Sequence, residues 1–247
     1  MPVEGPPPDV TVEFVSEAHV RACRQRIQEV REQTGSRVGV APSRFDARYW
    51  ETWFETNAEE LLRAFPSVQL SPDYHVRYRC YGQFGADLRV RPFVARKGTP
   101  VDALQRLLEW HPPPDTMGAV ERGTPTQDVQ LLYRHFSFPR TAEGYFDYWF
   151  VMQELWASAR WAYSHVVASL EELAQLTAAP EWQVLRAVDR YEPAVVRHES
   201  GATLAVLIHC PLQRFEITLQ RIEIDAQQAL HYSDPILVAA GPRGYVL

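Results

Sequence analysis

Residues 194–224, which read AVVRHESGATLAVLIHCPLQRFEITLQRIEI, carry the clearest indication of the fold class of this chain. Two runs rich in β-branched and apolar residues, 194–198 and 202–209, flank the turn-forming pair Ser200-Gly201. From residue 215 onward apolar and polar residues alternate, as they do in a strand with one buried face. The stretch therefore predicts an antiparallel meander.

The apolar phase of this meander changes at Arg221. Between residues 215 and 220 the apolar positions are odd, whereas Ile222 and Ile224 are even. Either a β-bulge or a strand that buries its other face would produce such a change. Residues 237–240 predict one more short strand after it.

Helical periodicity dominates the part of the chain before the meander. Ser16 is placed to cap a helix whose apolar residues, Val20, Cys23, Ile27 and Val30, recur every three to four positions. A second helix with an unusually aromatic face is predicted from Asp46 to Phe65. Thr99-Pro100 predicts the start of a short helix that ends before Pro112.

The segment from Thr141 to Thr177 contains no helix breaker after Gly144 and has apolar residues at spacings of three and four. A single helix of this extent would be about 50 Å long at 1.5 Å per residue. Because most of its circumference is apolar, we expect it to be the central support of the fold. Its unusual length also leaves room for a kink or a break.

These patterns predict an α+β fold, in which an antiparallel sheet, in one or two pieces, packs on aromatic-rich helices with one long central helix. With 247 residues, 46% of them hydrophobic, the chain can bury a core without disulfides. We expect a flexible proline-rich tail at residues 1–9 and a single domain over 10–247, in which a sub-domain boundary could fall at 111–127. Residues 129–138 fit a strand, although Leu131, Leu132 and Tyr133 in succession fit a buried helix nearly as well.

The composition limits the classes of function. A net charge of −6 with 23% charged residues disfavours generic nucleic-acid binding, so nucleic acid is the less favoured partner. No apolar run approaches the roughly 20 residues of a membrane span, and the N-terminal pattern is not that of an export signal. We therefore expect no membrane association and a cytoplasmic location. The separated cysteines Cys23, Cys80 and Cys210 fit buried free thiols.

The motifs that most often identify enzymes are missing from the sequence. It contains no GxxxxGK[ST] or GxGxxG phosphate loop, no GxSxG nucleophile turn, and no HExxH or CxxC metal motif. We therefore expect no cofactor and no bound metal. The absence of these motifs lowers the expectation of an enzyme without removing it.

Two groups of polar residues are weak catalytic candidates. The first lies along one side of the predicted long helix at spacings of seven, four and seven, and consists of Asp147, Glu154, Ser158 and His165. Carboxylates and an imidazole on one line could bind a metal or exchange protons, although a polar seam between helices is the simpler interpretation.

The second group contains His231 and Asp234, which lie just before Pro235. A loop at a sheet edge can hold such residues rigidly in a site. Ser-Asp-Pro is, however, also ordinary turn chemistry.

From His75 to Arg96 the apolar period changes to two, which predicts a β-hairpin with one apolar face. The opposite face would carry Arg77, Arg79, Arg89 and Arg91, and we call this segment the arginine hairpin. Guanidinium groups match carboxylates and phosphates bidentately, so the hairpin could bind an acidic surface. There are two alternatives. The arginines could simply form a solvated face, because Lys97 is the only lysine of the chain and an exposed basic face must then use arginine. They could also form internal salt bridges to acidic residues.

Two functional hypotheses follow. The first is a non-enzymatic intracellular binding protein, a complex subunit or a neutralising partner, that meets an acidic surface of another protein through the arginine hairpin. The second is an enzyme of unrecognised type with a polar site between the long helix and the C-terminal sheet. We favour the first, since a chain of this size without a catalytic motif fits it better. The sequence does not identify the partner, a substrate or the oligomeric state.

Overall fold

The computed structural model describes residues 11–38, 47–81, 89–99, 129–130, 132–157, 165–188, 190–210 and 215–241. The helices within these residues are α1 (Glu17–Val38), α2 (Ala47–Ala64), α3 (Ala142–Ala157) and α4 (Leu170–Leu176), with a 3₁₀ turn at Leu132–His135. The strands are β1 (Val12–Phe14), β2 (Gln69–Leu70), β3 (Tyr74–Tyr81), β4 (Arg89–Arg96), β5 (Val129–Gln130), β6 (Phe136–Ser137), β7 (His165–Val166), β8 (Gln183–Val184), β9 (Ala194–His198), β10 (Gly201–Cys210), β11 (Glu216–Ile224), β12 (Leu230–Tyr232) and β13 (Ile236–Ala240). Helices combined with antiparallel sheets confirm the predicted α+β class.

The chain divides into two compact units. One comprises Met1–Val20 with Val166–Leu247, and we call it the sheet unit; the other comprises Arg21–His165, and we call it the helical unit. The tail at 1–9, the short helix after Thr99-Pro100 and the boundary at 111–127 fall outside the described residues, so they stay predictions.

The first two helices begin and pack as their sequences predict. At the start of α1 the Oγ of Ser16 accepts a hydrogen bond from the backbone N–H of His19 at 3.2 Å, which satisfies one of the free donors of the first turn. The predicted apolar stripe of α1 is buried from Val20 to Val30. In α2 the buried positions include Phe54 and Leu61, as the aromatic face predicts. No helix among the described residues has the combined length and apolar character that crossing a membrane requires.

The structure does not carry a single helix through Thr141–Thr177, because α3 is described over Ala142–Ala157 and His165–Val166 is the extended strand β7. Farther along the chain α4 is a separate helix. Ser169 caps α4 by accepting a hydrogen bond from the N–H of Glu172 at 3.0 Å. A serine favours a new helix start, and consecutive β-branched residues such as Val166 and Val167 favour extended backbone. The spacing of three and four alone could not reveal this break.

The helical unit is held together by aromatic side chains. The rings of Phe54 on α2 and Tyr78 on β3 have centroids 5.3 Å apart, and the hydroxyl of Tyr78 donates to the backbone oxygen of Leu155 on α3 at 3.0 Å. On α3 itself Tyr148 is 0% and Trp149 1% exposed, so the helix is buried on several sides. β3, β4 and β5 form a small antiparallel sheet in that order.

The sheet unit contains the predicted meander. Its strands lie in the order β1-β9-β10-β11-β13-β8, with β12 also paired to β11, and each of these pairs is antiparallel. The pairing of β10 with β11 is continuous from Ala202 to Cys210, so no bulge interrupts it at Arg221. Ile217 and Ile222 are both fully buried although they belong to opposite faces of β11. The change of apolar phase therefore marks a change of the buried face.

Gly201→Ala is expected to destabilise the β9–β10 hairpin by more than about 1 kcal/mol, because an L residue is strained there. Gly201 has a φ of +148°, and an added Cβ would lie 1.8 Å from the backbone oxygen of Ile224. Urea unfolding of the variant measures the loss. Gly98→Ala is the matched control, since Gly98 also has a positive φ, +86°, but open space around an added Cβ. Equal losses in both variants would show that the approach of Ile224 is unimportant.

Candidate functional site

The backbone register of β3 and β4 brings the arginines of the hairpin together. Arg79 lies directly opposite Arg91, and Arg89 lies opposite Tyr81. Directly opposite residues of an antiparallel pair share a face, and so do alternate residues along one strand. One face of the hairpin is therefore formed by positions that include Arg77, Arg79, Arg89 and Arg91.

The spacing of the Arg79–Arg91 pair follows from its neighbours. The backbone N–H of Tyr78 lies 3.4 Å from the Oε1 of Glu55, which places this donor on the side away from β4. The residue opposite Tyr78 is Pro92, which has no N–H to donate. Tyr78 and Pro92 thus form a non-hydrogen-bonded pair, and the next pair, Arg79 and Arg91, is a hydrogen-bonded one with Cα atoms about 5.5 Å apart.

Arg77 has an internal partner on α2. Its Nε lies 2.7 Å from the Oε1 of Glu55 on α2, and the two side chains are only 27% and 23% exposed. Burial raises the pKa of Glu55, and the charge of Arg77 opposes that rise. Arg77 thus forms an internal salt bridge, which was one of the two alternatives to partner binding for the arginines of the hairpin.

The arginine face is covered toward the end of the hairpin that lies away from its turn. Phe93 and Ala95 continue the same face along β4, and they are 5% and 0% exposed. Of the four arginine positions, 79, 89 and 91 lie beyond this buried part of the face.

The first group of weak catalytic candidates is divided between elements. Asp147 and Glu154 lie on α3, His165 lies in β7, and Ser158 falls outside the described residues. The Nη2 of Arg31 on α1 donates a hydrogen bond to the Oε2 of Glu154 at 2.7 Å. Burial raises the pKa of Glu154, and Arg31 opposes the rise. Glu154 thus has a structural partner, and no single helix aligns it with His165.

Asp147 belongs to a buried polar cluster that sequence reasoning missed. Its carboxylate accepts a hydrogen bond from the Oγ of Ser67 at 2.7 Å and from the Sγ of Cys23 at 3.4 Å. Burial, followed by the charge of Asp147, raises the pKa of the Cys23 thiol. Cys23 is therefore a protonated donor and not a thiolate nucleophile. Cys23 lies 124 residues from Asp147 in sequence, and no local pattern links them.

The second group of weak candidates is also resolved into local roles. The Nε2 of His231 lies 2.8 Å from the Oδ2 of Asp225, while Asp234 is exposed. Partial burial acts to raise the pKa of Asp225. Hydrogen bonds from His231 and from the N–H groups of Ala229 and Gln227 outweigh this effect, so the pKa is lower than its ordinary value. Asp225 thus organises the β11–β12 turn. Its position directly after a predicted strand was a signal for this role.

No protein-family model, no curated protein and no solved structure matches this chain. Its function therefore has to be inferred from its own residues.

Proposed function

We propose that this chain is a non-enzymatic intracellular binding protein, a complex subunit or a neutralising partner, that docks on an acidic surface of another protein. The contact surface is the end of the arginine hairpin near its turn, formed by Arg79, Arg89 and Arg91. The observation that carries the proposal is the register that sets Arg79 directly opposite Arg91.

Two like charges directly opposite each other are unfavourable in an antiparallel pair, where cross-strand pairs are worth roughly 0.2–1 kcal/mol. A carboxylate from a partner converts this repulsion into attraction, since it can interact with both guanidinium groups. The planar fork of arginine also suits bidentate contact with carboxylates better than lysine does. The pairing of Arg79 with Arg91 therefore favours an acidic ligand.

Arg77 has a supporting role in this proposal. Its interaction with Glu55 on α2 attaches β3 to the helix, and its charge is already compensated. A partner would have to displace Glu55 to use Arg77. We therefore assign the binding energy to the other three arginines.

The overall charge supports a protein partner over nucleic acid. A chain with a net charge of −6 repels an extended polyanion, while a local basic patch can still match a compact acidic surface. We also propose a cytoplasmic location, which the free thiols of Cys23 and Cys210 support.

The enzyme hypothesis stays a prediction. Two of its candidates, Glu154 and His231, are engaged with Arg31 and Asp225 respectively. Such pairs are sufficient to explain these residues structurally.

The triple variant Arg79→Gln, Arg89→Gln, Arg91→Gln is expected to weaken binding of a labelled oligoglutamate peptide at least about tenfold and to flatten its salt dependence. Fluorescence anisotropy at several salt concentrations measures both effects. The same variant should retain less protein in affinity capture from the native lysate. Its free energy of unfolding should be unchanged or slightly higher, because the Arg79–Arg91 repulsion is removed.

The matched control removes three exposed arginines outside the hairpin, by Arg21→Gln, Arg134→Gln and Arg186→Gln. It changes the net charge equally and should leave peptide binding nearly intact. Equal losses in both triple variants would indicate binding by overall charge alone. Unchanged binding in the hairpin variant would remove the hairpin from the proposal.

A further inference from the structure

The sheet unit has an outer face built from two adjacent rows of residues that cross β1, β9, β10 and β11. Register pairs define the first row as Val12, Val196, Thr203 and Glu223. They define the second row as Phe14, Ala194, Ala205 and Arg221. The residues between the rows belong to the opposite face, where Val195, Leu204 and Ile222 are fully buried. The two rows thus lie on the face that is not turned to this core, beside the part of the same face where Leu207 is buried against Leu173 and Leu176 of α4.

The two rows present apolar groups to solvent. Val12 and Phe14 are 44% and 40% exposed, and the guanidinium carbon of Arg190 lies 4.3 Å from the centroid of the Phe14 ring. Ala194, Val196 and Ala205 beside them are partly exposed. A contiguous apolar area of this kind on a sheet face indicates an interaction surface.

Each row has a charged residue on β11, and the two charges are opposite; beyond Glu223 the first row continues to His231 of β12. Arg221 and Glu223 are both exposed, and no ion pair to either side chain is present within the described part of the chain. They lie two residues apart on the same face of the strand, about 7 Å along it. The surface therefore has an apolar part and a neutral pair of separated charges.

We propose that these two rows are the interface of a homodimer, in which a second copy of the chain covers the face. A two-fold axis in the interface runs parallel to the rows and passes over Ile222 of β11. It places the first row of one copy over the second row of the other copy, and the reverse. Arg221 then meets Glu223 of the second copy, and the reciprocal contact forms by symmetry.

The same axis matches the shapes of the apolar residues. Ala205 lies over Thr203 of the second copy, and Ala194 lies over Val196. A smaller residue is therefore opposite a larger one at the two central positions, which lets two sheets approach to the usual spacing of about 10 Å. Antiparallel strands of the two copies, rotated by about 30° through the sheet twist, give the aligned packing of a β-sandwich.

The charges select a second copy over other occupants. An acidic partner would be attracted by Arg221 and repelled by Glu223, and a basic partner would experience the reverse. Only a surface with both charges in the reciprocal order satisfies the two together, and the chain itself carries that surface.

The experiment uses charge reversal in the full chain, followed by analytical ultracentrifugation. The wild-type chain should sediment as a species of twice its 28.4 kDa mass. Arg221→Glu and Glu223→Arg should each raise the dimer dissociation constant by about 100-fold, because every reversal places like charges together at two symmetric contacts. An equimolar mixture of the two variants should form a heterodimer, since both of its charge contacts are again opposite. The double variant should also dimerise.

Two exposed positions after α4 provide matched controls, Arg186→Glu and Glu181→Arg, which should leave dimerisation unchanged. Circular dichroism confirms that all variants are folded. A wild-type chain that is monomeric at about 100 μM, where a micromolar interface would be filled, would overturn the proposal. Dimers that persist in both single variants, or a mixture that fails to associate, would overturn it as well.

Discussion

Arg31→Ala is expected to lower the free energy of unfolding by about 2–3 kcal/mol at neutral pH, because it leaves the carboxylate of Glu154 without its cation. The side chain of Glu154 is 12% exposed, whereas that of Arg31 is 45% exposed. Solvent screening at Arg31 keeps the expected loss below the value for a fully buried pair. Urea unfolding measures it.

The loss should depend on pH in a defined direction. Burial raises the pKa of Glu154 above its ordinary value of 4.5, and Arg31 opposes that rise. Without Arg31 the pKa in the folded state rises further, while the unfolded state keeps the ordinary value. Between the two values the folded state binds more protons, so its stability falls as the pH rises through this window. Below a pH of 4.5 the carboxyl is protonated in both states, and the difference from wild type should close.

The double variant Arg31→Met, Glu154→Gln provides the control, because it removes both charges at once. It should recover most of the stability at neutral pH, since no unpaired charge remains buried. A loss in Arg31→Ala that is equally large at acidic and neutral pH would contradict the electrostatic origin and indicate lost packing of the arginine stem.

Trp149→Ala is expected to cost about 4 kcal/mol of unfolding free energy, as truncations of large buried aromatic side chains do. Trp149 is 1% exposed, and its ring centroid lies 5.6 Å from that of Phe146 and 6.1 Å from that of Phe150. The substitution therefore leaves a cavity inside the aromatic cluster of α3. Chemical denaturation followed by circular dichroism measures the change.

Trp149→Phe is the matched comparison. The indole Nε1 of Trp149 is buried, and it has no hydrogen-bond partner among the described residues. Phenylalanine keeps a ring and removes this unsatisfied donor, so we expect a loss below about 1.5 kcal/mol. A loss as large as that of Trp149→Ala would show that the N–H is satisfied in solution, for example by an internal water molecule.

Several features of the fold could be predicted because they depend on neighbours in sequence. The cap at Ser16, the extent of α2 and the turn before Gly201 each follow from residues within a few positions. The alternation in the arginine hairpin also predicts which residues share a face, since the pleat has a fixed period of two. Local periodicity was misleading between Thr141 and Thr177, where an apolar spacing of three and four continues through the extended strand β7.

The candidate site depended much less on local pattern. The sequence by itself determined the α+β class, the meander and the common face of the four arginines, because backbone geometry repeats over two or four residues. Only the packing of the folded chain pairs Glu55 with Arg77 and Glu154 with Arg31 in salt bridges, and only it brings Cys23 to donate a hydrogen bond to Asp147. These partners lie on different elements, and their choice follows from which side chains packing brings together. No periodicity in a single sequence encodes that choice.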